Sequence, residues 1–265
     1  MNSNSWLKLA TERVPRLEAE LLLAHVLGVN RVDLHAHPER ELTDFEVSQV
    51  KSDLKRRIDG EPIAYIVGYK EFFGRKFAVT EDVLIPRPET EALVEIIVGL
   101  NPKRVLDVGT GSGVIAISVA LELPEAQITA LDVSPEALLV AQDNAKRLGA
   151  TSISFLHSDL LSGLSEADKR GFDVIVANLP YVDRKWDWNA QELDFEPQGA
   201  LYADDGGLKI IKKLMLGVKD YMSENGCVVL EADASQHEKI KEYAVGCGLA
   251  LKQVLGLALV FRQIP

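Results

Sequence analysis

Cysteine is scarce in this sequence: Cys227 and Cys247 are the two present, and their spacing fits neither a disulfide framework nor a CxxC metal or redox pair. Both sit among apolar neighbours, so buried thiols are the expectation. The five histidines are scattered; His35 and His37 share a face if that segment is extended, but no cysteine or third histidine accompanies them, and no metal site is expected. No run of about 18 apolar residues occurs, which argues against a helical membrane span. Met1 to Ala10 lack the cationic segment, apolar run and small-residue cleavage site of a secretory signal, so the expected compartment is the cytoplasm. An excess of basic charge is missing as well. Residues 1–80 carry 12 Lys+Arg and 12 Asp+Glu, so the whole net charge of −11 falls on residues 81–265. A surface that grips a phosphate backbone needs a basic stripe to release counterions, and direct nucleic-acid binding is therefore disfavoured.

What is present is an ordinary globular balance, 47% hydrophobic and 26% charged over 265 residues, enough for one large domain and a smaller one. The first 60 residues read as helical. Leu17, Leu21, Leu22, His25, Val26 and Leu27 recur at spacings of three and four, with Gly28 as a stop. Thr43 and Glu46 have capping-box spacing, and Phe45, Val47, Val50 and Leu54 supply the apolar side of a further helix. Residues 62–84 change character: Ile63, Tyr65, Ile66 and Val67, then Phe72, Phe73, Phe77, Val79 and Val83, favour strands or a hairpin. Beyond residue 88, strand-length runs at 104–108, 127–131, 152–156, 174–177 and 227–231 alternate with helical stretches at 88–99, 113–122, 135–148, 207–221 and 235–246. That alternation predicts a doubly wound α/β domain, a mostly parallel sheet with helices on both faces. The expected division is an N-terminal helical bundle over 1–61, a hairpin connector over 62–84 and a catalytic domain over 85–265.

The strand Val105–Val108 runs into Gly109-Thr110-Gly111-Ser112-Gly113 and then an apolar helix. Such a turn lets the backbone bend sharply and a ligand approach closely. Asp132 ends the following strand, 23 residues beyond Gly109, where a carboxylate can accept hydrogen bonds from ribose hydroxyls. The pairing marks a nucleoside cofactor. A dinucleotide site asks for G-x-G-x-x-G, and the sixth position here is Val114. The G-x-G-x-G spacing preceded by Asp107 instead resembles the first motif of S-adenosylmethionine-dependent methyltransferases, which implies S-adenosyl-L-methionine as cofactor. By that resemblance Asp159 and Leu160 lie where the family contacts adenine; Leu160 reads equally well as a strand-end core residue.

Asn178-Leu179-Pro180-Tyr181 follows the apolar strand Val174–Ala177 and so falls at the carboxyl end of the sheet, where doubly wound folds bind ligands. An amide nitrogen is a poor nucleophile because its lone pair is delocalised into the carbonyl. Two acceptors that hold the NH₂ hydrogens orient the group, oppose that delocalisation and stabilise positive charge as it develops on nitrogen. The Asn178 side-chain oxygen and the Leu179 main-chain carbonyl can serve, Pro180 stiffens the turn, and the Tyr181 ring can pack on the planar group. Asn178 also borders the cofactor side of such a turn. The segment resembles the N-P-P-Y motif of methyltransferases acting on glutamine amides and on exocyclic amino groups of bases, with Leu179 replacing the first proline. Residue chemistry leaves amide and nucleobase both open.

The choice comes from resemblance. Glu61 to Gly68, Glu71-Phe72-Phe73-Gly74, Val83 to Glu91, Asn178 to Tyr181 and Phe195-Glu196-Pro197 occur in an order similar to the peptide chain release factor N(5)-glutamine methyltransferases, the PrmC/HemK family. Membership implies methylation of the glutamine in the Gly-Gly-Gln loop of class I release factors. It also implies a seven-stranded Rossmann-like catalytic sheet and an N-terminal domain that helps dock the factor. Arg87 in the Ile85–Glu91 loop, with Phe72 and Phe73, would border the acceptor pocket, and Trp186 and Trp188 could contact the protein substrate or fold back on the core. A monomer is expected. Two stretches depart from the family pattern, Leu230-Glu231-Ala232-Asp233 and Leu255 to Phe261, and neither touches the residues above.

Overall fold

The computed structural model describes residues 1–186 and 191–264. Two compact units emerge among them: residues 1–69 with 191–195, and residues 70–186 with 196–264. In the first unit, α1 (Ser3–Ala10), α2 (Arg16–Leu27), α3 (Arg31–Ala36), α4 (Asp44–Ile58) and the short α5 (Ile63–Val67) gather around Trp6, Leu22, Leu23, Val50 and Ile66. Thr43 caps α4 as its spacing suggests: its hydroxyl accepts from the Glu46 N–H and the Glu46 carboxylate accepts from the Thr43 N–H. Asn30 and Asp33 repeat the arrangement on α3.

The buried face of α2 differs from the expected one. Leu17 and His25 are exposed, while Ala19, Leu22, Leu23 and Leu27 go inside. Apolar residues surround most of this helix, so spacing alone selects no stripe, and the small Ala19 lets the helix pack closely. Phe45 is likewise exposed, at 75%. Residues 63–67, expected as strand, are helical: the fixed φ of Pro62, −57°, suits a helix start, and Gly68 ends the turn.

A hairpin of β1 (Tyr69–Phe72) and β2 (Arg75–Ala78) leads to α6 (Glu91–Leu100), which a 3₁₀ turn over Pro88–Thr90 precedes. Then come β3 (Arg104–Val108), α7 (Val114–Glu122), β4 (Gln127–Asp132), α8 (Pro135–Leu148), β5 (Ile153–His157), β6 (Phe172–Ala177), α9 (Gln198–Leu201), α10 (Lys209–Val218), β7 (Met222–Glu231), α11 (His237–Gly246), β8 (Leu249–Leu255) and β9 (Ala258–Gln263). The sheet has the order β5-β4-β3-β6-β7-β9-β8, with only β9 antiparallel to its neighbours. This is the doubly wound, mostly parallel, seven-stranded sheet the sequence implies.

Both sheet faces are covered, so the strands read as nearly continuous apolar runs. Alternate residues divide between the faces: Val105, Ile128, Val174 and Val229 pack with α6 and α7, while Leu106, Leu131, Ile175 and Val228 pack with α10 and α11. Each fully buried Leu, Ile or Val contributes about 1.5–3 kcal/mol relative to exposure. The chain winds outward from β3 through β4 to β5, then returns to the other side of β3 with β6 and β7. The crevice beyond the carboxyl ends of β3 and β6 is the place where such sheets hold ligands. Among the described residues, no helix is long and apolar enough to cross a membrane.

Candidate active site

A cavity of about 500 Å³ opens at that crevice. Gly109, Gly111, Asp132 and Leu160 line it together with Asn178, Leu179 and Pro180, so the two turns singled out in the sequence face one space. Pro86, Arg87 and Thr90, from the loop before α6, line it as well.

The glycine turn is held from below. Asp107 is fully buried; its Oδ2 accepts from the Thr110 hydroxyl at 2.7 Å and from the Ala116 N–H at 3.2 Å. Burial, helped by the charge of Asp132 and opposed by those two hydrogen bonds, pushes its carboxyl up to about 7. Thr110 and Ser112 line the cavity, although their side chains are buried. Asp132 fixes the turn from the next strand: Oδ2 accepts from the Gly111 N–H at 2.8 Å and Oδ1 from the Ser134 N–H at 2.9 Å. Ionised, a carboxylate has about four acceptor positions, so two remain for a ligand hydroxyl pair.

The shape of the turn fits a nucleoside cofactor. Gly109 has φ +77° and a Cβ there would lie 2.9 Å from Leu179 Cδ2, so the two turns pack directly on each other. Gly111 has φ +56° and a Cβ on it would meet no protein atom within 4 Å, which leaves open space where a ligand can touch backbone. Asp159 and Leu160 flank the same cavity; Asp159 pairs with Lys213 at 2.6 Å, and Leu160 adopts φ +51°.

At the other turn, Asn178 Nδ2 donates to Thr90 Oγ1 at 3.0 Å. Leu179 is buried, and the Tyr181 hydroxyl donates to Glu231 Oε1 at 3.2 Å. Burial and the neighbouring Glu231 raise the Tyr181 hydroxyl well above the ordinary phenol range, so it stays protonated. Glu231 is itself pushed up by burial, against the hydrogen bond from Tyr181. The Tyr181 carbonyl accepts from Gln236 Nε2 at 2.7 Å.

Of the three residues expected around the acceptor pocket, Arg87 lines the cavity and the two phenylalanines do not. Arg87 lines the cavity, but its guanidinium is engaged: it donates to Glu196 at 2.5 Å and to the Ile85 carbonyl at 2.6 Å. The other oxygen of buried Glu196 accepts from the Ile85 N–H, so this carboxylate holds the loop in place. Phe72 does not reach the cavity; it is 2% exposed and meets Phe77 edge-on at 6.0 Å. Phe73 turns the hairpin at φ +48° and donates its N–H to Glu91. Both phenylalanines serve the hairpin and the core beneath it because a short two-stranded ribbon needs its aromatics for burial. Trp186 is half-buried in the turn after Tyr181, and Trp188 lies outside the described residues. Thr90, Glu196, Glu231 and Gln236 were missed as site residues. Thr90 and Glu196 fall in stretches that carry the family resemblance, but only the tertiary fold shows what their side chains hold.

Comparison with known proteins identifies the family. Residues 4–68 match the PrmC N-terminal domain and residues 88–240 the methyltransferase small domain. A release factor glutamine methyltransferase from Koribacter versatilis is 45% identical over 86% of this chain and 82% of its own length. One of the same name from Escherichia coli is 38% identical over 94% of this chain and 92% of its own. Among solved structures, a ribosomal protein L11 methylase from Lactobacillus delbrueckii subsp. bulgaricus shares the fold, with a TM-score of 0.52 at 22% identity over 74% of this chain and 90% of that one.

Proposed function

We propose a reaction from one premise: this chain belongs to the release factor glutamine methyltransferase family. It is an S-adenosylmethionine-dependent protein-glutamine N-methyltransferase. Its substrate in our reading is the glutamine of the Gly-Gly-Gln loop of class I peptide chain release factors, methylated on the side-chain amide nitrogen. The observation that carries this reading is that Asn178 and Leu179 line the same cavity as Gly109, Gly111 and Asp132. Donor and acceptor would therefore meet without any large rearrangement of the sheet.

When bound, S-adenosyl-L-methionine supplies a methyl carbon on a positively charged sulfur, which departs as a neutral thioether. Gly109 to Gly113 would hold its methionine part, Asp132 the ribose hydroxyls, and Asp159 with Leu160 the adenine edge. Asn178 Oδ1 and the Leu179 carbonyl would each accept one N–H of the substrate amide, turning the nitrogen lone pair toward the methyl carbon. That orientation supplies proximity, and the two oxygens stabilise positive charge arising on nitrogen. The methylated nitrogen then releases a proton to water, so no side chain is required as a general base. Arg87, tied to Glu196, would keep the 85–91 loop over the cavity rather than grip the substrate.

We place the protein in the cytoplasm, acting as a monomer on protein rather than nucleic acid; the acidic residues 81–265 favour that choice. Mass spectrometry of a release factor incubated with enzyme and S-adenosylmethionine tests it. The expected result is one added methyl on the Gly-Gly-Gln glutamine. An unlabelled factor alongside methylated duplex DNA would overturn it in favour of an adenine amino-methyltransferase.

A further inference from the structure

Asparagine is a poor choice for the middle of a helix, because its amide competes with the backbone for hydrogen bonds. Asn144 nevertheless stands in the third turn of α8, and it is fully buried. Its polar atoms must therefore find partners inside the protein.

All four hydrogen-bonding positions of the amide are filled. Oδ1 accepts from the Ala78 N–H at 2.7 Å and from Arg147 Nη2 at 3.1 Å. Nδ2 donates to the Ala78 carbonyl at 3.0 Å and to the Ser112 carbonyl at 2.9 Å. Toward Ala78 the side chain pairs as a neighbouring strand would, closing a two-bond ring on the last residue of β2. Toward Ser112 it grips the glycine turn. One turn earlier on the same face of α8, Ala141 packs on that turn as well: a Cβ on Gly113 would lie 3.1 Å from Ala141 Cβ.

The two partners of Asn144 lead to two walls of the same cavity. Ser112 belongs to the turn in which Gly109, Gly111 and Gly113 all have positive φ, a backbone with little stiffness of its own that loses entropy when it orders around a ligand. Ala78 precedes the segment that supplies Asp82, Val83, Leu84, Pro86 and Arg87 to the rim. Glu196 holds the far end of that segment through the Ile85 N–H and the Arg87 guanidinium. Asn144 holds the near end. All of these residues lie in one compact unit.

We infer that Asn144 is a positioning residue for the methyl donor: it fixes the glycine turn to the 79–87 segment, so that seating the cofactor on one wall of the cavity orders the other. This rests on the reading of Gly109 to Gly113 as the seat of S-adenosylmethionine. Asn144→Asp keeps an oxygen for Ala78 and Arg147 but sets an acceptor against two carbonyls. Asn144→Leu keeps the volume and removes all four hydrogen bonds.

The test measures S-adenosylmethionine affinity by calorimetry, the melting temperature, and amide hydrogen exchange with and without S-adenosylmethionine, in the wild type and both variants. In the wild type, S-adenosylmethionine should slow exchange over 109–113 and over 79–87 together. In both variants we expect affinity to fall about 10-fold, the scale of one buried hydrogen bond withdrawn from a preorganised site, and the cofactor-dependent protection of 79–87 to be lost. A lowered melting temperature with wild-type affinity and wild-type protection marks a merely structural role and overturns the inference. Should neither variant fold, the wild type decides alone: protection of 109–113 without protection of 79–87 shows that the two walls are not linked. If S-adenosylmethionine binds the wild type but leaves 109–113 unprotected, the reading of the seat fails and the inference falls with it.

Discussion

Asn178 and Leu179 divide one task between a side chain and a main chain, and this division makes their substitutions behave differently. Asn178→Ala removes one of two acceptors that act on the developing charge. Losses of that kind run to about 10²- to 10³-fold in kcat, and the same is expected here with S-adenosylmethionine affinity within about twofold. Equal loss of cofactor binding in a titration would show that the roles are not separable. Leu179 offers its carbonyl, which survives any substitution. Its side chain, however, is 5% exposed and packs against the glycine turn close to Gly109. Leu179→Pro, the residue found in the N-P-P-Y pattern, should therefore leave kcat within about threefold while lowering the melting temperature, because buried methyl groups are lost. A large gain in kcat would mean that rigidity at this position limits the enzyme.

At the scale of elements, five parallel strands and the helices between them were legible because each is a long apolar run or a periodic stretch bounded by capping residues. The predicted strand 104–108 coincides with β3, and Ser134 caps α8 with Pro135 at its first position, as read from the sequence. What escaped has physical causes. Strand β8 was not placed because it lies at the sheet edge and buries little beyond Leu249, so no alternation marks it. Helix α5 was hidden by β-branched Ile63, Ile66 and Val67, whose strand preference the tertiary packing overrides. The cofactor side of the site was legible because backbone geometry demands glycines in sequence; the Asn178–Thr90 link was not, because its partners come from distant segments. Gly207 belongs to the same illegible class. It has φ +81°, and a Cβ there would fall 1.9 Å from the Tyr181 carbonyl oxygen, the atom Gln236 also holds. A left-handed alanine costs about 1–2 kcal/mol and forced overpacking about 1–3 more. Gly207→Ala should thus destabilise the unit of residues 70–186 and 196–264 by about 2–5 kcal/mol in urea unfolding and disturb the Asn178–Tyr181 turn; a change below about 1 kcal/mol would show that the turn can yield.

The two units of the molecule carry buried carboxylates of opposite tendency, and this gives the whole protein a stability that responds to pH in two directions. Burial drives Asp107 up to about 7 from an ordinary 3.8. Between those values the folded chain holds more protons than the unfolded one, so the stability of its unit falls as pH rises from about 4 to about 7 and levels off above. In the helical unit, burial acts to raise Glu20, but hydrogen bonds from Arg16 and Arg31 and the charges of Arg31 and His35 outweigh it, and the carboxyl ends below its usual 4.5. Its contribution is present above about 4.5 and is lost as pH falls through the lower folded value. Thermal unfolding of the cofactor-free protein between pH 3 and pH 8 separates the two. Asp107→Asn should match the wild type near pH 4 and become progressively the more stable of the two toward pH 7. Glu20→Gln should be less stable at pH 7, because it leaves two arginines without their anion, and the deficit should narrow toward pH 3. If the Asp107→Asn difference does not grow with pH, the buried aspartate is not the group that makes neutral pH costly. The fold would then be keeping an ionised carboxylate beneath the glycine turn by means other than the hydrogen bonds of Thr110 and Ala116.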